Sequence, residues 1–160
     1  FSQSGDFLNF RGWIYILFLN VMPTWVYKVA TFGLIFFSGV YLKKIAIRDL
    51  HIDEKIAFWI AVLFLTTPLY IARVVCTDFN YTLSVYLFML GWWWIKSFRY
   101  ISLFVFAISF NTQSLLMFYA LPVMFLYMDQ RRKIGFLRFI YENIGIILLP
   151  FLWFFIKINY

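Results

Sequence analysis

Long apolar runs alternate with short basic segments along this chain, and this alternation limits its possible folds more than any other feature. A helix needs roughly 17–25 apolar residues to cross the hydrocarbon core of a bilayer, and several runs are of that length. Backbone amides in lipid must bond within their own segment, so we expect the runs to be helical. The alternation that barrel strands require is absent. The sequence therefore predicts an all-α fold.

The composition shows which solvent surrounds these helices. Hydrophobic residues make up 64% of the chain and charged residues only 13%, whereas soluble domains have about 25% charged residues. So little polar surface cannot cover a globule in water. We predict a single polytopic transmembrane bundle over 1–160, with five to six membrane helices. Its expected location is the bacterial inner membrane or the endoplasmic reticulum.

The apolar runs set the predicted bounds of the membrane helices. The spans are 24–42, 56–75, 81–95, a hairpin of 100–110 with 113–128, and 139–156. The segment 10–22 is apolar but too short to cross, and it fits an interfacial helix. Basic residues flank 100–128 at both ends, which favours the hairpin over the alternative of one long tilted helix.

The distribution of positive charge predicts the orientation. Ten of the fourteen Lys and Arg residues fall in loops on one side, which should be cytoplasmic. Scattered in this way, they form no surface that could track the phosphates of a nucleic acid. Four basic residues fall towards the outer side: Arg11, Lys28, Arg73 and Lys157. Because the sequence begins at Phe1, we expect a piece of a longer protein.

The acidic residues divide into two groups in this topology. We interpret the inner acids as charge balance at solvated loops: Asp49, Asp53, Glu54, Asp129 and Glu142. Asp78 instead precedes the third span on the outer side, five residues after Arg73. It could cap that helix and pair with Arg73. It could also act as a general base or hold a divalent metal ion, and these alternatives remain open.

Other polar residues fall near Asp78 on the predicted outer side. Arg73 and Lys28 either snorkel to the interface or hold an anionic group such as phosphate. Asn111 and Gln113 lie at the tip of the predicted hairpin, where they could line the same cavity or satisfy the turn. Cys76 is the sole cysteine, which excludes a disulfide within the chain.

Three stretches resemble the GT-C superfamily of membrane glycosyltransferases. They are 25–30 with 34–44; 64–73 with Asp78 and 83–90; and 101–110 with Asn111, Thr112, Gln113 and 115–125. These enzymes transfer a sugar from a polyprenyl- or dolichyl-phosphate carrier. The family's principal acid lies in the first outer loop, where this chain offers only Asp6 as a match. The hairpin usually carries a lysine, in place of which this chain has Thr112 and Gln113.

The resemblance implies an inverting sugar transfer at the outer face. Asp78 would correspond to the family's second acid, which orients the acceptor or a divalent cation. Arg73 and Lys28 would neutralise the phosphate of the leaving carrier. The expected partners are membrane lipid and the lipid-phosphate-sugar donor. Two alternatives remain: a non-catalytic membrane subunit packed against partner helices, and a fragment of a transporter.

Overall fold

The computed structural model describes residues 23–67, 79–110, 114–131 and 134–159. All regular elements in these ranges are α-helices, which confirms the all-α fold class. The helices are α1 (Thr24–Leu50), α2 (Glu54–Thr66), α3 (Phe79–Trp94), α4 (Arg99–Ser109), α5 (Ser114–Phe118), α6 (Ala120–Gln130), α7 (Phe136–Glu142) and α8 (Ile144–Asn159). The predicted interfacial segment 10–22 lies outside the described residues.

The first helix, α1, continues to Leu50 instead of ending at residue 42. No proline or glycine follows residue 42 within it, so nothing interrupts its hydrogen bonds there. The helix ends at His51, which takes the left-handed conformation (φ 51°) and donates its N–H to the carbonyl of Ala46. Asp53 then begins α2 by accepting a hydrogen bond from the N–H of Lys55.

The last predicted span, 139–156, is not one straight helix. The axes of α7 and α8 differ in direction by 60° across Asn143. The Asn143 side chain donates to the carbonyl of Phe139, at 2.8 Å, and thereby competes with the backbone for a helical hydrogen-bond partner. An asparagine in an apolar run therefore coincides with the bend.

Residues on either side of 111–113 fold back on one another. The ring of Tyr119 lies 4.8 Å from that of Phe106 and 5.1 Å from that of Phe110, centroid to centroid. In one continuous helix Phe106 and Tyr119 would lie about 20 Å apart along the axis. The alternative of a single long helix over 100–128 is therefore incompatible with these contacts.

Helices α1 and α3 lie side by side and run in the same direction. At their starts, the rings of Tyr27 and Phe79 meet edge to face, with centroids 5.6 Å apart. Near their ends, Arg48 donates to the carbonyl of Trp93 at 2.6 Å. These two contacts define the opposite ends of the bundle. We call the end with Arg48 the basic end, and the end with Tyr27 the distal end.

Helices α2 and α4 run the other way. In α2, Glu54 pairs with Lys43 at 2.8 Å near the basic end. Further along, Leu65 lies against Gly39 in the preceding part of α1. In α4, Ser102 donates to the carbonyl of Gly91 at 2.8 Å. Helices α1 to α4 thus alternate in direction, and the turns after α1 and after α3 lie at the basic end.

The core lies between α3, α4 and the segment that folds back after them. Its largest fully buried side chains include Phe106 and Phe110, both 0% exposed. Phe88 packs edge to face on Phe106, with centroids 5.3 Å apart. A Cβ atom added at Gly91 would lie 3.2 Å from the ring of Phe106. Glycine at this position therefore lets α3 and α4 approach closely.

The outer surface of the bundle is strongly apolar. Phe32 of α1 is 71% exposed, and Phe151 and Phe155 of α8 are each 68% exposed. Large apolar patches of this kind mark membrane or protein contacts. Within the described ranges, one helix, Trp25–Leu50, is long and apolar enough to cross a membrane. The bent pair formed by α7 and α8 would add a second if it is one span, so helix length and composition do not establish five or six crossings.

The close approach at Gly91 yields a stability prediction. Gly91→Ala should lower the melting temperature of the detergent-solubilised chain. Alanine gains about 1 kcal/mol in helix propensity, but overpacking a filled core costs about 1–3 kcal/mol. Gly33→Ala is the matched control, because a Cβ atom there meets nothing within 4 Å. It should leave the melting temperature unchanged or raise it, and equal behaviour of the two variants would contradict the packing at Gly91.

Candidate functional site

Most of the site residues predicted from the sequence lie outside the part of the chain that the structure describes. These residues are Asp6, Arg73, Asp78, Asn111 and Gln113. Lys28 is described, and it lies exposed on the first turns of α1 at the distal end. The structure therefore positions one of the six predicted site residues.

The distal end brings Lys28 close to the helix that follows Asp78 in the sequence. Tyr27, the neighbour of Lys28, contacts Phe79, the neighbour of Asp78, in the edge-to-face pair described above. One turn further along α1, Thr31 is 1% exposed, and its hydroxyl has no hydrogen-bond partner among the described residues. The start of α1, which carries Lys28 and the buried Thr31, thus packs against the start of α3.

A larger polar cluster occupies the basic end, centred on the carboxylate of Asp49. Arg48 donates to both of its oxygens, at 2.9 Å each, and the indole N–H of Trp92 donates at 3.0 Å. The Lys96 ammonium group lies 3.0 Å away. The Asp49 side chain is 1% exposed. We call Arg48, Asp49, Trp92, Lys96 and Asp129 the polar network.

Arg48 connects Asp49 to the end of α3. Its guanidinium group donates to the carbonyls of Trp92, at 3.1 Å, and Trp93, at 2.6 Å, in the last turn of that helix. It also stacks on the ring of Trp93, 4.5 Å from the centroid. A cation at a helix C-terminus satisfies free carbonyls and opposes the helix dipole. One side chain therefore binds both the carboxylate and the helix end.

The network corrects the interpretation of Asp49 as charge balance at a solvated loop. Asp49 lies within α1, beyond Lys43 and Lys44 and outside the predicted crossing segment. Burial raises the pKa of its carboxyl group, but hydrogen bonds from Arg48 and Lys96 outweigh this effect and hold the pKa below its ordinary value. The carboxylate is thus an ionised internal group. Asp53, by contrast, is exposed, as expected.

Helical spacing contains the signal that the sequence-based interpretation missed. Tyr27, Thr31, Ser38, Ile45 and Asp49 are spaced by 4, 7, 7 and 4 residues, which places them on one face of α1. All five are at most 9% exposed. The first and last of them contact α3, so this stripe is the face that packs on that helix. The small polar residues of this stripe, Thr31 and Ser38, indicate that Asp49 on the same face is internal.

A pocket of about 390 Å³ lies beside the polar network at the basic end. Three apolar side chains line it together with six polar ones: Lys96, Arg99, Asp129, Gln130, Glu142 and Asn143. It joins the end of α3, the start of α4, the end of α6 and the α7–α8 bend. No residue of this pocket was among the site residues predicted from the sequence.

Asn143 organises one wall of the pocket. It is 1% exposed, and its amide N–H₂ donates to the Gln130 side chain at 3.2 Å and to the Phe139 carbonyl at 2.8 Å. Its side-chain oxygen is thereby left to accept a hydrogen bond from Arg99. Arg99 is half-buried, and it has no carboxylate within 4 Å among the described residues.

The described residues contain no group of three His, Cys, Asp or Glu side chains that could hold a metal ion. Asp78, to which the resemblance assigned a possible divalent cation, lies outside these residues. No protein-family model matches the chain, and no similar curated protein or solved structure was found.

Asp49→Asn tests the polar network. Removal of one charge leaves Arg48 and Lys96 poorly compensated. Breaking a fully buried pair costs about 3–5 kcal/mol. Since Arg48 and Lys96 are about one quarter exposed, we expect a smaller loss of roughly 2 kcal/mol, measured as a lower melting temperature in detergent.

The same substitution at Asp53 is the control, because asparagine caps a helix as well as aspartate does. Asp53→Asn should leave the melting temperature unchanged.

The Asp49 carboxyl group has a lowered pKa in the folded protein, so its contribution to the free energy of unfolding is complete above the unfolded pKa, near 3.8. It is lost as the pH falls through the folded-state pKa, and the difference between wild type and Asp49→Asn should shrink there. A difference independent of pH would contradict this assignment.

Proposed function

We propose that the chain is part of a polytopic membrane glycosyltransferase that uses a lipid-phosphate-linked sugar at the outer or luminal face. The observation that carries the proposal is the contact of Tyr27 with Phe79 at the distal end. It brings the turn that bears Lys28 next to the start of α3, directly after Asp78. The GT-C resemblance assigns these same two positions to the reaction.

Among the described residues, charged side chains are concentrated at the basic end, and this supports the proposed topology. The basic end holds the polar network and the ion pair of Lys43 with Glu54. Helix α1, with 27 residues, is about 40 Å long, so it can cross a core of about 30 Å and still extend into the cytoplasmic interface. Because α1 then crosses the membrane with its basic end inside, the distal end lies at the outer face.

The proposed reaction needs few groups. The Asp78 carboxylate would orient the acceptor hydroxyl and accept its proton as the oxygen attacks the anomeric carbon. The bond between that carbon and the phosphate oxygen breaks at the same time, with inversion. Arg73 and Lys28 would stabilise the negative charge on the departing phosphate, and Asn111 and Gln113 would donate hydrogen bonds near it. The resemblance implies the orienting role of Asp78 and the phosphate roles of Arg73 and Lys28, whereas the general-base role and the roles of Asn111 and Gln113 follow from the chemistry of those side chains.

Asp78→Asn tests the catalytic role. General acid–base groups contribute about 10²–10⁴-fold to a rate, so transfer from a polyprenyl-phosphate-linked sugar should fall by about that factor. The assay needs the full-length protein in membranes, with insertion checked by protease protection. Asp53→Asn, the same change at an exposed position of the basic end, should retain full activity. Normal transfer by a correctly inserted Asp78→Asn variant would favour the alternative of a non-catalytic subunit.

Cysteine labelling tests the topology independently of activity. In a Cys76→Ser background, Lys28→Cys and Lys55→Cys place one thiol near each end of the bundle, and both side chains are exposed. A membrane-impermeant maleimide should label Lys28→Cys in intact cells or sealed vesicles of native orientation. It should label Lys55→Cys only after permeabilisation. Labelling of both positions from the same side would overturn the proposed orientation.

A further inference from the structure

We infer that the pocket at the basic end is a binding site for a phosphate ester, with Arg99 as its principal ligand and a membrane phospholipid headgroup as its source. This site differs from the one proposed for sugar transfer, since it lies at the other end of the bundle. It involves neither Asp78 nor Lys28, so a loss of the proposed sugar transfer would leave it standing, and only the choice of a lipid as the phosphate source rests on the proposed topology.

Among the described residues, the charges around the pocket leave one cation without a carboxylate within 4 Å. Lys96 lies 3.0 Å from Asp49 and 3.4 Å from Asp129, and Arg138 pairs with Glu142 at 2.7 Å. Arg48 pairs with Asp49 as described above. The pocket lining has two carboxylates, and both are paired: Asp129 with Lys96, and Glu142 with Arg138. The charge of Arg99, which also lines the pocket, is therefore available to an anion.

The Arg99 guanidinium group is also held in place. Asn143 fixes it from one side, and the Asn143 amide is itself fixed by Gln130 and by the Phe139 carbonyl. A guanidinium group has five N–H donors in a rigid fork, and the described contacts use one of them. The remaining donors suit the paired oxygens of a phosphate group. Lys96 also lines the pocket and is a second cation there.

The position and shape of the pocket favour a lipid as the source of the phosphate. Its volume of about 390 Å³ lies within the usual range of about 300–1,000 Å³ for small-molecule sites. Ile95, Leu126 and Ile134 line it beside the polar groups, which suits a ligand with a charged head and an apolar body. In the proposed topology it lies at the cytoplasmic headgroup level, where anionic lipids concentrate.

The test measures the melting temperature of the full chain in a neutral detergent, as phosphatidylglycerol, phosphatidylcholine or inorganic phosphate is added. A ligand that binds only the folded state raises this temperature. We expect phosphatidylglycerol to do so at lower concentration than phosphatidylcholine. A comparable rise with millimolar inorganic phosphate would also support the phosphate site, but would make a soluble ester its source. No rise with any of the three would overturn the inference.

Arg99→Gln removes the charge and keeps a side chain that can still donate to Asn143. Loss of a charge-assisted fork should weaken the apparent affinity for phosphatidylglycerol about tenfold or more. Arg131→Gln is the matched control, because Arg131 is exposed at the same end and does not line the pocket. Arg99→Lys keeps the charge without the fork and should bind with intermediate affinity. Wild-type affinity in a folded Arg99→Gln variant would overturn the inference.

Discussion

The arrangement of the helices depends on the buried carboxylate of Asp49. Its two oxygens receive donors from Arg48 and Trp92 and lie beside the Lys96 ammonium group. Because a carboxylate shielded from water is costly without such partners, α1 and α3 have one favourable register at the basic end. Arg48 adds the last carbonyls of α3 to the same cluster. The polar network thus fixes the parallel packing of these helices at the basic end.

Away from the polar network, small residues mediate the packing of the helices. In lipid, apolar side chains gain little by leaving the solvent, so helices associate through close backbone approach and polar contacts. Thr31 and Ser38 in the buried stripe of α1 provide such a surface, and Gly91 of α3 does the same towards α4. Bulky apolar side chains occur both in the core, as Phe106 and Phe110 show, and on the outer surface, as Phe32 and Phe151 show.

The sequence allowed prediction of features that depend on local chemistry. Apolar runs predict helices, which account for the all-α class. The burial of Asp49 was harder to predict, because it depends on Trp92 and Lys96, which are distant in sequence. The extension of α1 to Leu50 and the bend at Asn143 have local causes that the apolar runs do not show. Trp92 shows the same limit as Asp49, because it is 7% exposed and its indole N–H donates to that carboxylate, which lies 43 residues earlier in the sequence. The pocket joins four helix ends, and no local motif marks it.

The basic residues that form ion pairs in the fold also affect the orientation proposed for the chain in the membrane. In the proposed topology, Lys43, Arg48, Lys96 and Arg138 count as positive charges on the inner side, although each is paired with a carboxylate. Such pairing does not cancel the bias, because acidic residues contribute little to topology. Insertion in the reverse sense would carry both members of these pairs across the hydrocarbon core, where every charge is costly. The polar network therefore favours the same orientation that places the distal end, with Lys28, at the outer face.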